Sequence, residues 1–123
     1  MNKSMRFLLV APIYGMLGML LGMVMGAKSD FTYTPVHEHL NLLGFVAIML
    51  YGLTYKAFPA MAASKIANIH FYAVNLGVIF MIPALALLLQ KNTAALPALM
   101  IGEILTIASL LLFFINIFLH RKE

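Results

Sequence analysis

Thr34-Pro35-Val36-His37-Glu38-His39-Leu40-Asn41-Leu42-Leu43-Gly44-Phe45 places two imidazoles, a carboxylate and a carboxamide at the mouth of a segment that stays apolar as far as Phe58. Polar groups are costly in hydrocarbon, so this concentration marks both where a membrane span begins and where its chemistry would gather. Thr34 and Pro35 read as N-cap and first helical residue, because proline lacks an N–H that would be unpaired at that place anyway. His37 and His39 then fall in the first turn. The positive end of the helix dipole disfavours imidazolium there, so both rings lean towards the neutral, metal-binding form. The plainer reading is two interfacial histidines wetted by headgroups.

The rest of the chain has the same character. Of 123 residues 63% are hydrophobic and 10% charged, and the mean hydropathy is +0.99, more apolar surface than a soluble core of this size can bury. An all-α integral membrane protein is the class that fits. The absence of cysteine removes disulfides, thiol catalysis, cysteine-type zinc sites and covalent attachment of c-type haem. Any metal must be held by His, Met or carboxylate. No phosphate-binding glycine loop, Ser-His-Asp arrangement or basic face for nucleic acid is visible.

Four apolar runs, about Arg6–Ala27, Val36–Phe58, Ile66–Leu89 and Ala94–Leu119, each reach the ~20 residues that a helix needs to cross the bilayer. Short connections make sequential helices antiparallel neighbours, so one four-helix transmembrane domain is expected. The basic start Asn2-Lys3-Ser4-Met5-Arg6 resembles that of a signal peptide, but the apolar stretch after it is too long, and the first run is expected to be retained as a helix. Lys3, Arg6, Lys56, Lys65, Arg121 and Lys122 fall on one side, Lys28 and Lys91 on the other. The positive-inside rule therefore places both termini in the cytoplasm of a prokaryotic inner membrane, and the His37–Asn41 cluster opens outward.

The first run carries Gly15, Gly18, Gly22 and Gly26, small residues that let backbones approach closely. Their partner is either the second helix or the first helix of another copy, which would give a homo-oligomer. Met16, Met19, Met23 and Met25 are interleaved, as packing filler or as thioethers for copper(I). At ~100° per residue, His37, Asn41, Gly44, Ile48, Tyr51, Gly52 and Tyr55 share one face of the second run, and His39, Leu43, Val46, Leu50 and Leu53 another. The first face is expected towards the bundle or a cofactor, with Gly44 and Gly52 leaving a groove for a flat macrocycle. His37 is thus the better ligand on geometric grounds, and an irregular first turn would reverse that order. His70 and His37 lie near opposite faces, so His70 reads as bonding a neighbouring helix rather than sharing a metal with His37. Glu103 is the one carboxylate deep in a span, either functional or a spectator bonded to Asn41 or Tyr51. Thr106, Ser109, Asn116 and His120 continue a polar stripe, in which Thr and Ser commonly cap a local carbonyl. The tail His120-Arg121-Lys122-Glu123 reads as a headgroup anchor.

From His37 to Pro59 the chain resembles the second helix of the large subunit of haem–copper oxidases and nitric oxide reductases. The matching pieces are His37 or His39, Gly52, Tyr55 and Phe58-Pro59. Ile69-His70-Phe71-Tyr72 with Asn75-Leu76-Gly77 is similar to a His-Phe-Trp stretch of the same subunits. The spacing of His37, His39, Gly44 and Phe45 is similar to one in the NnrS family of haem- and copper-containing membrane proteins. The resemblance covers the second and third runs only, and the later histidines that hold copper in the oxidases have no counterpart. It implies at most a low-spin haem ligand, His37 or His39.

Three expectations follow. One is a small haem b protein for electron transfer or diatomic gas chemistry, with His37 or His39 as ligand, Asn41, Gly44, Tyr51 and Gly52 around the cofactor, and quinol as a candidate electron donor. The second is a non-haem copper or zinc site built from His37, His39, Glu38 and Glu103. The third is an accessory or assembly subunit of a respiratory complex.

Overall fold

The computed structural model describes residues Met1–Lys122; Glu123 of the tail lies outside the described residues. Four helices are long and apolar enough to cross a membrane: Lys3–Lys28, Thr34–Ala57, Lys65–Leu89 and Thr93–Leu119, here the first to fourth spans. They agree with the four expected runs to within a few residues. A short helix, Pro59–Ala63, fills the connection between the second and third spans. Lys3 Nζ donates to the carbonyls of Ala63 (3.1 Å) and Ser64 (2.9 Å), so the N-terminus lies beside that connection. His120 and Arg121 line a cleft with Thr54, Phe58 and Met61, which brings the C-terminal end to the same place.

Long apolar side chains on the outer surface, among them Met19, Leu50, Ile79, Ile107 and Phe114, are exposed. Only 11% of the fourth span's apolar window is buried within the chain, so lipid is the solvent that makes this surface tolerable.

Lipid is as apolar as leucine, and close packing must therefore hold the helices together. The first span lies on the second through its glycines. A Cβ on Gly15 would stand 2.8 Å from the Phe45 ring, one on Gly18 2.6 Å from Asn41 Nδ2, and one on Gly22 2.7 Å from His37 Cε1. Gly15, Gly18 and Gly22 thus meet the second span, the first of the two partners expected for them, and of the four glycines only Gly26 has open space. In return Gly44 receives Tyr14, and Gly52 receives Phe7 and Leu8. The third and fourth spans approach still more closely at Gly77 and Gly102, where a Cβ on Gly102 would lie 2.6 Å from the Met81 backbone nitrogen.

Thr34 does not cap the second span as expected. The helix begins at Thr34 with Tyr33 as its cap residue, and the Thr34 hydroxyl donates to the Phe31 carbonyl at 2.8 Å. Leu40–Ala47 then winds as a π-helix before the α-helix resumes at Ile48. In the loop between the first and second spans Asp30 accepts from the Thr32 hydroxyl (2.6 Å) and the Thr32 N–H (3.1 Å). Those bonds hold its carboxyl below the usual aspartate range.

Gly102→Ala should cost ~1–3 kcal/mol, because backbone cannot move aside as a side chain can. Gly26→Ala should be neutral or stabilising by up to ~1 kcal/mol. Unfolding in mixed detergent micelles, followed by circular dichroism, checks the pair, and equal stabilities would contradict the account of the crossing.

Candidate functional site

The cluster His37–Asn41 divides between two faces of the second span. His37 is half-buried, and its Nδ1 lies 2.7 Å from the Gly18 carbonyl. A carbonyl can only accept, so Nδ1 carries the hydrogen and Nε2 is the lone-pair nitrogen of the neutral ring. Asn41 Nδ2, 3.2 Å from that same Nδ1, instead gives a hydrogen to the His37 carbonyl at 2.9 Å. His39 is exposed, with Nδ1 2.7 Å from the Pro35 carbonyl, which fixes the same tautomer. A histidine whose δ hydrogen is tied to a carbonyl while Nε2 stays free has the outer-shell arrangement of a metal-ligating imidazole.

His39 has a cavity beside it. With Leu43, Tyr51, Met81, Glu103, Thr106, Ile107 and Leu110 it lines a groove of about 360 Å³. His37 faces the glycines of the first span, and the macrocycle groove expected over Gly44 and Gly52 is filled by Tyr14, Phe7 and Leu8. The π-helical stretch accounts for the reversal. A uniform wheel of ~100° per residue places His39 and Tyr51 ~120° apart. The i→i+5 pitch of Leu40–Ala47 winds less per residue and brings them to one groove.

Glu38 is exposed and lines a shallow pocket with His39, Leu42 and Leu43. Glu103 is exposed in the groove, and no hydrogen bond ties it to Asn41 or Tyr51 among the described residues. Nowhere among them do three His, Cys, Asp or Glu side chains come together as a metal-holding group. The set His37, His39, Glu38 and Glu103 is therefore not assembled within one chain. Thr106 Oγ1 donates to the Gly102 carbonyl and Ser109 Oγ to that of Thr106, both local caps as expected.

A second polar centre lies towards the end that carries the termini. His70 is fully buried, with the rings of Tyr51 (4.4 Å between centroids), Phe7 (5.2 Å), Phe113 (5.5 Å) and Tyr55 (5.7 Å) around it. Its Nδ1 is 2.9 Å from the Tyr55 hydroxyl, so it bonds a neighbouring helix as expected. Asn116, also fully buried, donates to the Met61 carbonyl (3.1 Å) and towards Tyr55 Oη (3.4 Å), and accepts from Ser64 Oγ (3.0 Å). With Asn116 donating into Tyr55 Oη, the phenolic hydrogen goes to His70 Nδ1, and the ring's own hydrogen sits on Nε2. That atom is buried with no partner. In the sequence Asn116 stands as one member of a polar stripe, and the signal of its larger role is a carboxamide deep in an otherwise apolar helix.

The chain matches no family model, no curated protein and no solved structure.

Asn116→Leu should cost ~1–3 kcal/mol, because the Met61 carbonyl loses its side-chain donor and the Ser64 hydroxyl its acceptor. His70→Phe combined with Tyr55→Phe should cost less than the two single changes added together, since both halves of one hydrogen bond leave at once. A double-mutant cycle in detergent unfolding measures this, and strict additivity would contradict the pairing.

Proposed function

We propose that the chain is a small haem b-binding protein of the prokaryotic inner membrane, with both termini cytoplasmic, serving electron transfer or the chemistry of a diatomic gas such as O2 or NO. The observation that carries this reading is the His39 imidazole. Its δ hydrogen is fixed on Pro35 and it borders an apolar groove of about 360 Å³ that also holds Met81 and Glu103. A histidine and a thioether on one groove are donors that haem iron accepts. His37 has the same tautomer but spends its ring on packing against Gly22, so His39 is the ligand of choice.

When bound, haem would supply the one-electron or gas chemistry. The chain's part is a neutral imidazole held in one orientation, apolar walls from Leu43, Ile107 and Leu110 that limit water, and a carboxyl and a phenol, Glu103 and Tyr51, at the same groove. The orientation rests on the basic residues gathered at the end of the bundle that carries the termini. The copper or zinc alternative is less well supported, since its donors do not converge within one chain and would need a second copy. The accessory-subunit alternative draws on the widely exposed fourth span, a surface that a respiratory complex could cover as well as lipid.

Protein purified from haem-replete cells should show a Soret band with iron as its stoichiometric metal. His39→Ala should abolish the band and His37→Ala should leave it. A colourless protein, or stoichiometric copper or zinc without iron, would overturn the reading.

A further inference from the structure

The fourth span carries Ile107, Leu110, Phe114 and Ile117 at intervals of three and four, with Arg121 four residues further on in the turn that follows the helix. That spacing puts them on one face. Two hollows lie along the face, and Ile117 lines both. The first, of about 300 Å³ at the end of the bundle that carries the termini, is lined by His120 and Arg121 together with Thr54, Phe58 and Met61. The second, of about 570 Å³, has apolar walls throughout, from Ile117 past Phe114 and Leu110 to Ile107. Phe114 is 62% and Ile107 71% exposed, so no other part of the chain covers this groove.

We propose that the two hollows together seat one anionic phospholipid, its phosphate beside Arg121 and His120 and an acyl chain along the apolar walls from Ile117 to Ile107. Length supports this occupant. From Ile107 to Ile117 the helix rises ~15 Å, half of the ~30 Å of hydrocarbon in a bilayer, which is the reach of one leaflet's chains. Charge supports it too. The Arg121 guanidinium lies over the Phe118 ring, 4.1 Å from its centroid, and one of its N–H groups donates to the Phe118 carbonyl. The side chain is thereby held in place, and its remaining N–H groups are left for an anion, which phosphate accepts as a planar pair. His120 is fixed as well, with Nδ1 2.9 Å from the Asn116 carbonyl. Among the described residues no carboxylate lines either hollow to compete for these cations. A plain lipid-facing helix needs only the apolar half of this arrangement; the held arginine at its end selects the headgroup. The site goes beyond the haem reading and does not depend on it.

The chain contains no tryptophan, so Phe114→Trp places a single fluorophore in the groove. The full-length variant is reconstituted in phosphatidylcholine vesicles that contain a minor share of either phosphatidylglycerol or phosphatidylcholine brominated on the acyl chains. Quenching should report an affinity for phosphatidylglycerol about fivefold above that for phosphatidylcholine, the ratio expected for one basic side chain at an anionic headgroup. Adding Arg121→Gln should remove the preference. Adding Lys56→Gln instead, a cation that lines a different cleft beside the termini, should leave it unchanged. Phe114, Arg121 and Lys56 are all exposed, so none of these changes disturbs the packing of the bundle. Equal quenching by the two lipids would overturn the proposal, as would a preference that survives Arg121→Gln. Loss of the preference on Lys56→Gln would overturn it by showing a diffuse attraction to the basic end. Quenching by neither lipid would do so by showing the groove covered by a second copy.

Discussion

The structure depends on backbones coming together where lipid gives helices no hydrophobic reason to do so. Gly15, Gly18 and Gly22 each admit a side chain of the second span, namely Phe45, Asn41 and His37, at distances that any Cβ would forbid. This contact does more than pack. It brings the Gly18 carbonyl to 2.7 Å from His37 Nδ1, which selects the ring tautomer, and it commits His37 to the helix interface. The outward side of the helix is left to His39.

The same solvent explains why polar side chains occur in so few places. Several buried polar side chains find a partner on another span or a carbonyl of their own: Tyr14 donates to Asn75, Asn75 to the Phe71 carbonyl, and Asn116 to that of Met61. Asn68 Oδ1 and His70 Nε2 are the buried side-chain atoms without partners among the described residues. Leaving such an atom bare costs ~1–3 kcal/mol, a substantial penalty for a small bundle. For His70 the penalty falls on a ring enclosed by four aromatic side chains, where phenylalanine would pack without it.

Much of this arrangement could be read from the sequence. The four spans follow from run length alone, because crossing hydrocarbon sets a minimum that few soluble helices meet. The buried face of the second span, with Gly44, Ile48, Tyr51, Gly52 and Tyr55, also follows from periodicity, and all five are buried. What periodicity missed were features that exist only between elements. Gly77 and Gly102 lie on different spans, and neither sequence neighbourhood announces that they cross. The π-helical turns from Leu40 to Ala47 change the angular relation of His39 to Tyr51, and a uniform helical wheel has no means of showing it. The glycine stripe of the first span was legible as a contact surface, but the choice between the second span and another copy as its partner was not.

The second span contributes to both polar regions. It supplies His39 and Tyr51 to the groove beside Glu103 and Tyr55 to a cleft beside the termini, and it meets His70 through both tyrosines. A regular α-helix would have placed His39 away from Tyr51, separating the free imidazole from the phenol that touches the buried histidine. The widened turns therefore bring the free imidazole and the phenol to one groove. They occur beside Asn41, whose carboxamide occupies the His37 carbonyl in the first turn of the irregular stretch. A side chain that competes for a backbone acceptor is a known cause of local rewinding. A single carboxamide, seated in the notch of Gly18, thus joins the helix contact that organises the fold to the irregularity that organises the site.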